Sequence, residues 1–575
     1  MARNLRTLFL FVFASLFLFV LLYQSHAPSS ALVYHYQPPA TTTTNFGASF
    51  MVVSNVITES LEVSWVFSPR LASQLSPSLT FPIPSVAVLL PDWEVLVLVS
   101  PDYTPLAWDV NDPYVCLFDK GITSPAFPAG VLPFPDRFMF KCELPRRVRR
   151  RIPYKQPVMV KSSSLNLRMD WTPPILLRWN FVVYDSLATE DDVVLFVKGV
   201  NNRQGINREP TEFQCAFFAG DDAIKTVVTS SMQEVFRCKR PDLTAFPLGE
   251  EKRIKVSLEI LGPNNPVLVP TVAYYTAPRN LSPKNGKSLL CVATMVRNVA
   301  KFLNEWILYH SKIGVDKFIL YDNGSDDDLQ KIVESLVRQG FDISTYFWLW
   351  PKTQEAGFSH SAVYANTSCR WIMYVDVDEF VYSPAWAKVS KPSKALLHSL
   401  LPKLRNHSTT PAQVNIGCME FGPSGQTVHP ETGVTQGYNC RKEGRIRHKS
   451  IVLLEAIDHS LMNVIHHFIL KPGYMSKKLS LNTLVVNHYK FQAWPEFKAK
   501  FRRRVSAYVF DWTQPLNPKS NDRTPGLGYT PVEPADWPTK FCEVYDDGLK
   551  NLTRRWFGVE SPQDYKMAWH GKDDG

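Results

Sequence analysis

Trp371-Ile372-Met373-Tyr374-Val375-Asp376-Val377-Asp378-Glu379-Phe380 is the stretch whose reading decides the fold. Five mostly apolar residues suited to a buried strand run straight into three carboxylates. Asp has no use in the interior of an apolar strand, so the acids belong where the strand leaves its sheet, at the carboxyl end. Open α/β sheets bind ligands at that edge. Asp-x-Asp offers hard oxygen ligands to a divalent cation such as Mg²⁺ or Mn²⁺, which can in turn hold a diphosphate.

Strand and helix alternate on the amino-terminal side of this stretch. Residues 289–296 form a buried-strand run ending in Arg297-Asn298, and a helix follows with Phe302, Trp306, Tyr309 and Ile313 on one face and Gly314 placed to stop it. A strand at 317–321 leads into an acid-rich turn, Asp322 to Asp328, where Ser325 and Asp328 read as a capping-box start. Leu329, Ile332, Val333, Leu336 and Val337 then give a helical stripe, and 341–348 a third strand. This βαβαβ-α-β succession predicts an α/β fold with a doubly wound, Rossmann-like parallel sheet. No Gly-x-Gly-x-x-Gly follows the first strand and no Gly-x-x-x-x-Gly-Lys-Ser/Thr occurs, so a diphosphate would be held through a metal. Asp322, directly after the second strand, is placed to face a nucleotide's ribose or base.

The preceding 61–278 changes character to short β-type runs broken by Pro, Gly and Asp, which predicts one all-β sandwich or two, divided near residue 160. Tyr114-Val115-Cys116-Leu117-Phe118 with Arg137-Phe138-Met139-Phe140-Lys141-Cys142 resembles Phe213-Gln214-Cys215-Ala216-Phe217 with Glu234-Val235-Phe236-Arg237-Cys238, as two copies of one module would. In an oxidising compartment Cys116–Cys142 and Cys215–Cys238 are the expected disulfides. Between the units Arg146, Arg147, Arg149, Arg150 and Arg151 form a basic run. It is a solvated face or a contact for an acidic polysaccharide, and nucleic acid is not an expected partner.

With 575 residues, several domains are expected, and the formal charge of +10 favours acidic partners. Residues 5–23 are almost uninterrupted Leu, Phe and Val behind Arg3, long enough to cross a bilayer, with 1–4 as a cytosolic tail. A type II signal anchor is the reading preferred to a cleaved signal peptide. A Ser-, Thr- and Pro-rich stem (24–60) and five glycosylation sequons, at Asn280, Asn323, Asn366, Asn406 and Asn551, agree with a lumenal chain.

Taken in order, Val296-Arg297-Asn298, Glu305-Trp306 with His310, Tyr321-Asp322-Asn323-Gly324-Ser325-Asp326 and Trp371 through Phe380 resemble glycosyltransferase family 92 over 288–501. The anchor and the long β region are most similar to its plant galactan synthases. The resemblance implies a GT-A catalytic domain at 284–510 and a Golgi type II membrane protein. It also implies a Mn²⁺-dependent inverting transfer from UDP-galactose to β-1,4-galactan on pectin, with a carbohydrate-binding module ahead of the catalytic domain. Residues 511–575 would wrap that domain, and two copies could pair.

On this reading Asp378 coordinates the metal directly, Asp376 contacts the ribose or the metal, and Glu379 orients them. His488, ending the apolar run 484–487, is the expected third ligand, with His466 and His467 as competitors. Thr294, Arg297, Asp322 and Asp376 are assigned to the nucleotide sugar. Glu420 is the candidate base, with Glu455 and Asp458 as alternatives. Arg441, Arg445, Arg447, His448 and Lys449 could meet the diphosphate, and Trp348, Trp350, Trp494 and Trp512 could stack on sugars. The rival readings are an inactive wall-polysaccharide-binding protein and a metal-dependent phosphotransferase.

Overall fold

Runs of β-branched and aromatic residues between Pro, Gly and Asp clusters build the first half of the chain as strands. The computed structural model describes residues 82–500 and 533–570, apart from single residues and short stretches within 105–110, 151, 166–171, 202–206, 221, 243–252, 264, 279–285, 404–409 and 561–564. The expected cytosolic tail, anchor and stem lie outside the described residues, as do Arg151, Trp512 and the sequons at Asn280 and Asn406. Among the described residues no helix is long and apolar enough to cross a membrane.

Two sheets pack face to face in the first β region. One orders Phe127–Leu132, Arg137–Glu143, Glu94–Val99, Ser85–Leu89 and Leu177–Arg178; the other orders Ile122–Pro125, Tyr114–Phe118 and Val158–Lys161. Alternate residues Val95, Val97 and Val99 meet Tyr114, Cys116 and Phe118 between them, and Cys116–Cys142 joins the two sheets. The second β region packs in the same way, with Val193, Leu195 and Val197 meeting Phe213, Cys215 and Phe217 between two layers. Its strands run on as one folded-over sheet, ordered Val267–Leu268, Lys255–Ile260, Phe213–Ala219, Asp222–Met232, Val235–Lys239, Asp192–Lys198 and Val182–Ala188, because Asp222–Met232 pairs with Phe213–Ala219 over its first half and with Val235–Lys239 over its second. Cys215–Cys238 links two strands of that same sheet. The two Cys-bearing units share one strand pairing: Phe213–Ala219, Val235–Lys239, Asp192–Lys198, Val182–Ala188 and Lys255–Ile260 pair as Tyr114–Phe118, Arg137–Glu143, Glu94–Val99, Ser85–Leu89 and Val158–Lys161 do, the pattern that two copies of one module would give.

Elements of the carboxyl-terminal half are numbered from its first strand. They are β1 (Ser288–Val296), α1 (Ala300–Ile313), β2 (Lys317–Asp322), α2 (Leu329–Arg338), β3 (Ile343–Phe347), α3 (Gln354–Ala365) and β4 (Cys369–Tyr374). Then follow β5 (Glu379–Tyr382), β6 (Thr410–Phe421), β7 (Cys440–Leu453), β8 (Asn463–Val464), β9 (His467–Phe468), β10 (Tyr474–Lys478) and β11 (Val485–His488). The main sheet has ten strands, with the path β3-β2-β1-β4-β7-β6-β11-β5. Its first four are parallel, as the strand–helix alternation predicts. From β7 onward the sheet is mixed, because no helical period separates the later strands and the chain returns antiparallel: β4 with β7, β7 with β6, β11 with β5.

The period of two along each parallel strand divides its side chains between two cores. Leu290, Val292, Phe318, Leu320, Trp371 and Met373 pack under α1 and α2 with Leu303, Trp306 and Leu336. Cys291, Ala293, Ile319, Tyr321, Ile372 and Tyr374 face the other way, onto Phe358 and Ala362 of α3 and onto Leu96, Leu98, Tyr184 and Phe196 of the β regions. The β regions are thus welded to one face of the main sheet. The expected capping box at Ser325 and Asp328 does not form. Asp328 makes no side-chain cap, and the Ser325 hydroxyl instead donates to Asp322, a buried carboxylate that needs donors.

Candidate active site

Val296, Asp322 and Tyr374 end β1, β2 and β4 at one edge of the sheet, the carboxyl edge of the parallel strands. There the chain leaves β4 through a tight turn. Glu379 donates its N–H to the Asp376 carbonyl (2.9 Å), and Glu379 Oε2 accepts the Asp376 N–H (2.8 Å). The chain then runs into β5, a strand that the sequence pattern does not announce. α1 anchors it: Trp306 Nε1 donates to the Glu379 carbonyl (3.0 Å) and Tyr309 Oη to that of Val381 (2.7 Å). His310 Nε2 accepts the Val381 N–H at 3.4 Å, so its other nitrogen carries the proton donated to the Trp306 carbonyl. Burial holds His310 neutral, its pKa pushed down to about 3.

β11 lies beside β5 with Glu379 opposite His488. One ligand atom each of Asp378, Glu379 and His488 falls within 4.8 Å of the others. His488 Nε2 stands 3.7 Å from Asp378 Oδ1, and its Nδ1 3.4 Å from Glu379 Oε1. That Oε1 is buried without a hydrogen-bond partner among the described residues, and a buried carboxylate oxygen of this kind calls for a cation. Two carboxylates and an imidazole fit Mn²⁺ or a similar divalent ion. Burial raises the Glu379 pKa, with Lys449 pulling it back.

Asp376 is not in this group. Its Oδ2 is 2.8 Å from Lys449 Nζ, which also lies 2.8 Å from Glu379 Oε2. The turn aims Asp376 at β7, and Glu379 takes the place expected for Asp376 beside Asp378 and His488. Lys449 is nearly fully buried; burial opposes its charge, but Asp376 and Glu379 outweigh that and raise its pKa. Lys500 Nζ is 3.2 Å from Asp378 Oδ2.

A protein of Oryza sativa subsp. japonica described as a glycosyltransferase family 92 protein is 36% identical over 552 residues, covering 91% of this chain and 89% of that relative. The chain belongs to glycosyltransferase family 92. A sequence model of that family matches residues 287–520. An Arabidopsis thaliana family 92 protein is 42% identical over 383 residues, 65% of this chain and 66% of its own. Among solved structures, a mannosyltransferase of Pyrobaculum calidifontis covers 49% of this chain and 77% of its own at 11% identity and a TM-score of 0.25. So slight a likeness leaves the fold to rest on the strand order. Membership of family 92 implies glycosyl transfer.

Within this family 92 chain, the nucleotide-side candidates line the same carboxyl edge. Asp322 Oδ1 accepts from Ser325 N–H (2.9 Å) and its hydroxyl (2.7 Å), and burial raises its pKa. Arg297 is half-buried and acts electrostatically on Asp322, and the Thr294 hydroxyl is buried with no partner among the described residues. Asn323 Nδ2 donates to the Trp348 carbonyl at 2.6 Å, which engages the amide that glycosylation would need.

Other assignments are corrected. Glu420 is 1% exposed and ion-paired to Lys490 at 2.5 Å, so it faces the protein interior and not an acceptor. Glu455 and Asp458 lie beyond the far end of β7; Leu453 pairs with Trp371 while Ser450 pairs with Tyr374, which puts them about a strand length, roughly 15 Å, from the acid turn. His466 bonds Lys449 and His467 bonds His448, so neither joins Asp378.

The basic group does not act as one. Arg441 pairs with Asp546 at 2.6 Å, Lys449 with Asp376, Arg447 is exposed, and the side chain of Arg445 lies outside what is described. Trp348 and Trp350 are packed in the core under α3, and Trp494 packs on Trp537. Arg149 is engaged, 2.7 Å from Glu143 and stacked over the Trp93 ring, whereas Arg146, Arg147 and Arg150 are exposed. Besides Cys116–Cys142 and Cys215–Cys238, Cys291–Cys369 and Cys440–Cys542 are disulfides, and Cys418 is buried and free.

Proposed function

We propose that the chain is a divalent-cation-dependent glycosyltransferase of GT-A fold, anchored in the Golgi membrane with its site in the lumen. The reaction proposed is inverting transfer of galactose from UDP-galactose to β-1,4-galactan side chains of pectin. One observation carries the cation and donor class: Asp378, Glu379 and His488 converge where the chain leaves the carboxyl edge of the parallel strands, the edge at which β2 ends in the buried carboxylate of Asp322. Galactose and galactan rest on the resemblance of the ordered motifs to galactan synthases.

A bound cation would supply Lewis acidity to the donor's departing diphosphate. The protein's own residues do the placing. Asp378, Glu379 and His488 offer ligand atoms from two different segments, brought together where Glu379 lies opposite His488. Asp376 and Asp322 stand at the strand ends where a ribose and base would lie. Lys449, buried against Asp376 and Glu379, keeps the acidic turn from repelling itself apart.

A donor screen tests this. Full-length protein with Mn²⁺, galactan oligosaccharides and a panel of nucleotide sugars should lengthen the oligosaccharides with UDP-galactose. Product from a different donor would overturn galactose while keeping transfer, and no product from folded protein with any donor would favour a wall-polysaccharide-binding role.

A further inference from the structure

β8 and β9 form a hairpin in which Asn463 pairs with Phe468 and Val464 with His467, leaving Ile465-His466 as its two-residue loop. Both loop residues have positive φ, 41° and 76°. Such loops take Asn-Gly or Asp-Gly, because a side chain in the left-handed region meets its own backbone, and a β-branched residue is the poorest choice. Burial does not explain the exception, since Ile465 is 42% and Val464 50% exposed. A conformation of this kind persists where the surroundings over-determine it, and such places cluster at functional sites.

The surroundings are specific. The base of the hairpin is fixed by Asn463, whose Nδ2 donates to the Glu355 carbonyl (3.0 Å) and to Ser359 Oγ (2.9 Å). Its tip turns His466 inward, 4% exposed, against the Phe358 ring, and the Ser450 hydroxyl donates to the His466 carbonyl. His466 Nε2 then lies 3.0 Å from Lys449 Nζ. A lysine ammonium has three N–H donors, and here each has a partner: Asp376, Glu379 and His466. Lys449 has no acceptor to offer, so His466 Nε2 must be the unprotonated nitrogen.

The geometry points to His466 as a positioning residue for the proposed transfer. By taking the third N–H of Lys449 it aims the other two at Asp376 and Glu379. That fixes the Asp376 carboxylate at the nucleotide edge and away from the cation group of Asp378, Glu379 and His488. The strained Ile465-His466 turn is what delivers the imidazole to that spot. This inference rests on the function proposed above.

The test separates positioning from mere packing. At a φ of 76° glycine is relaxed, which offsets part of the buried contact that His466→Gly gives up, so the variant should stay folded with a melting temperature within about 4 °C of wild type. It should nevertheless raise KM for the donor, lower kcat/KM about tenfold, and weaken calorimetric binding of UDP with Mn²⁺ by a similar factor. His466→Gln, whose amide oxygen can replace Nε2 as acceptor, should restore most of both. Unchanged binding and turnover in His466→Gly would overturn the role. So would a melting temperature that falls in step with activity, or a His466→Gln variant as impaired as His466→Gly. Wild-type protein that binds UDP and Mn²⁺ yet transfers no sugar counts against the transfer reading alone, and the calorimetric comparison still decides the role of His466.

Discussion

The two halves of the ten-stranded sheet reach the site by different routes. In the parallel half, β3-β2-β1-β4, the strands β1, β2 and β3 are each followed within a few residues by a helix, and the groups sent to the carboxyl edge, Thr294, Arg297 and Asp322, come from these local units. In the mixed half the site is assembled by long-range pairing: His488 meets Glu379 across β11 and β5, and Lys449 reaches Asp376 from β7. The turn at Asp376 to Asp378 is the seam. What the contrast teaches is a division of labour, with the proposed nucleotide edge built locally and the proposed cation group built from distant segments.

Substitutions on either side of the seam should separate the two roles. In the mixed half, Lys490→Met would leave Glu420 buried without its partner, an unpaired interior charge that costs about 3–5 kcal/mol, read as a fall in the denaturation midpoint. A midpoint within error of wild type would mean that Glu420 reaches solvent after all. At the seam, Asp378→Ala should lower kcat/KM by about three orders of magnitude without loss of fold, because it removes a group acting through the cation. Turnover within tenfold of wild type would take Asp378 out of the cation group. In the parallel half, Asp322→Asn should act on the donor, raising its KM about tenfold with a smaller change in kcat, and a larger effect on kcat would dissolve the contrast.

A smaller effect concerns pH. Glu305 of α1 is buried and holds the 433–435 turn, accepting N–H from Thr435 and Val434 and the Thr435 hydroxyl. Burial nonetheless pushes its pKa up to about 7 from an ordinary 4.5. Between these values the folded protein keeps a proton that the unfolded chain has released, so its stabilising contribution is present below 4.5 and lost as pH rises through 7. Raising pH from about 5 to about 8 should therefore lower the wild-type melting temperature more than that of Glu305→Gln. Parallel curves would show that the carboxylate stays ionised.

How much of this was legible follows from the same contrast. Strand–helix alternation at 289–348 could be read because each element carries its own hydrophobic period and Gly314 marks a stop. The Cys116–Cys142 and Cys215–Cys238 bridges were legible at separations of 26 and 23 residues, whereas Cys291–Cys369 and Cys440–Cys542, at 78 and 102, were not. His488 could be found because it ends an apolar run. Lys449 stands out in the sequence only within a basic group that could meet a diphosphate, and its role is hidden until the pairing of Tyr374 with Ser450 sets it against Asp376. The place of Glu379 is hidden for a related reason: the sequence shows three acids close together but not that β5 begins at the third and turns its carboxylate toward β11. Of the Glu305-Trp306 and His310 motif, Trp306 and His310 proved to be the scaffold of β5, while Glu305 holds the 433–435 turn.

The central claim is that Asp378, Glu379 and His488, without Asp376, hold the cation. Mn²⁺ binding by the full-length protein, followed by electron paramagnetic resonance, tests it most directly when His488→Ala and Asp376→Asn are measured side by side. The account predicts that His488→Ala weakens Mn²⁺ at least about tenfold while Asp376→Asn stays within about twofold of wild type. The reverse order, with Asp376→Asn losing the ion and His488→Ala keeping it, would contradict it.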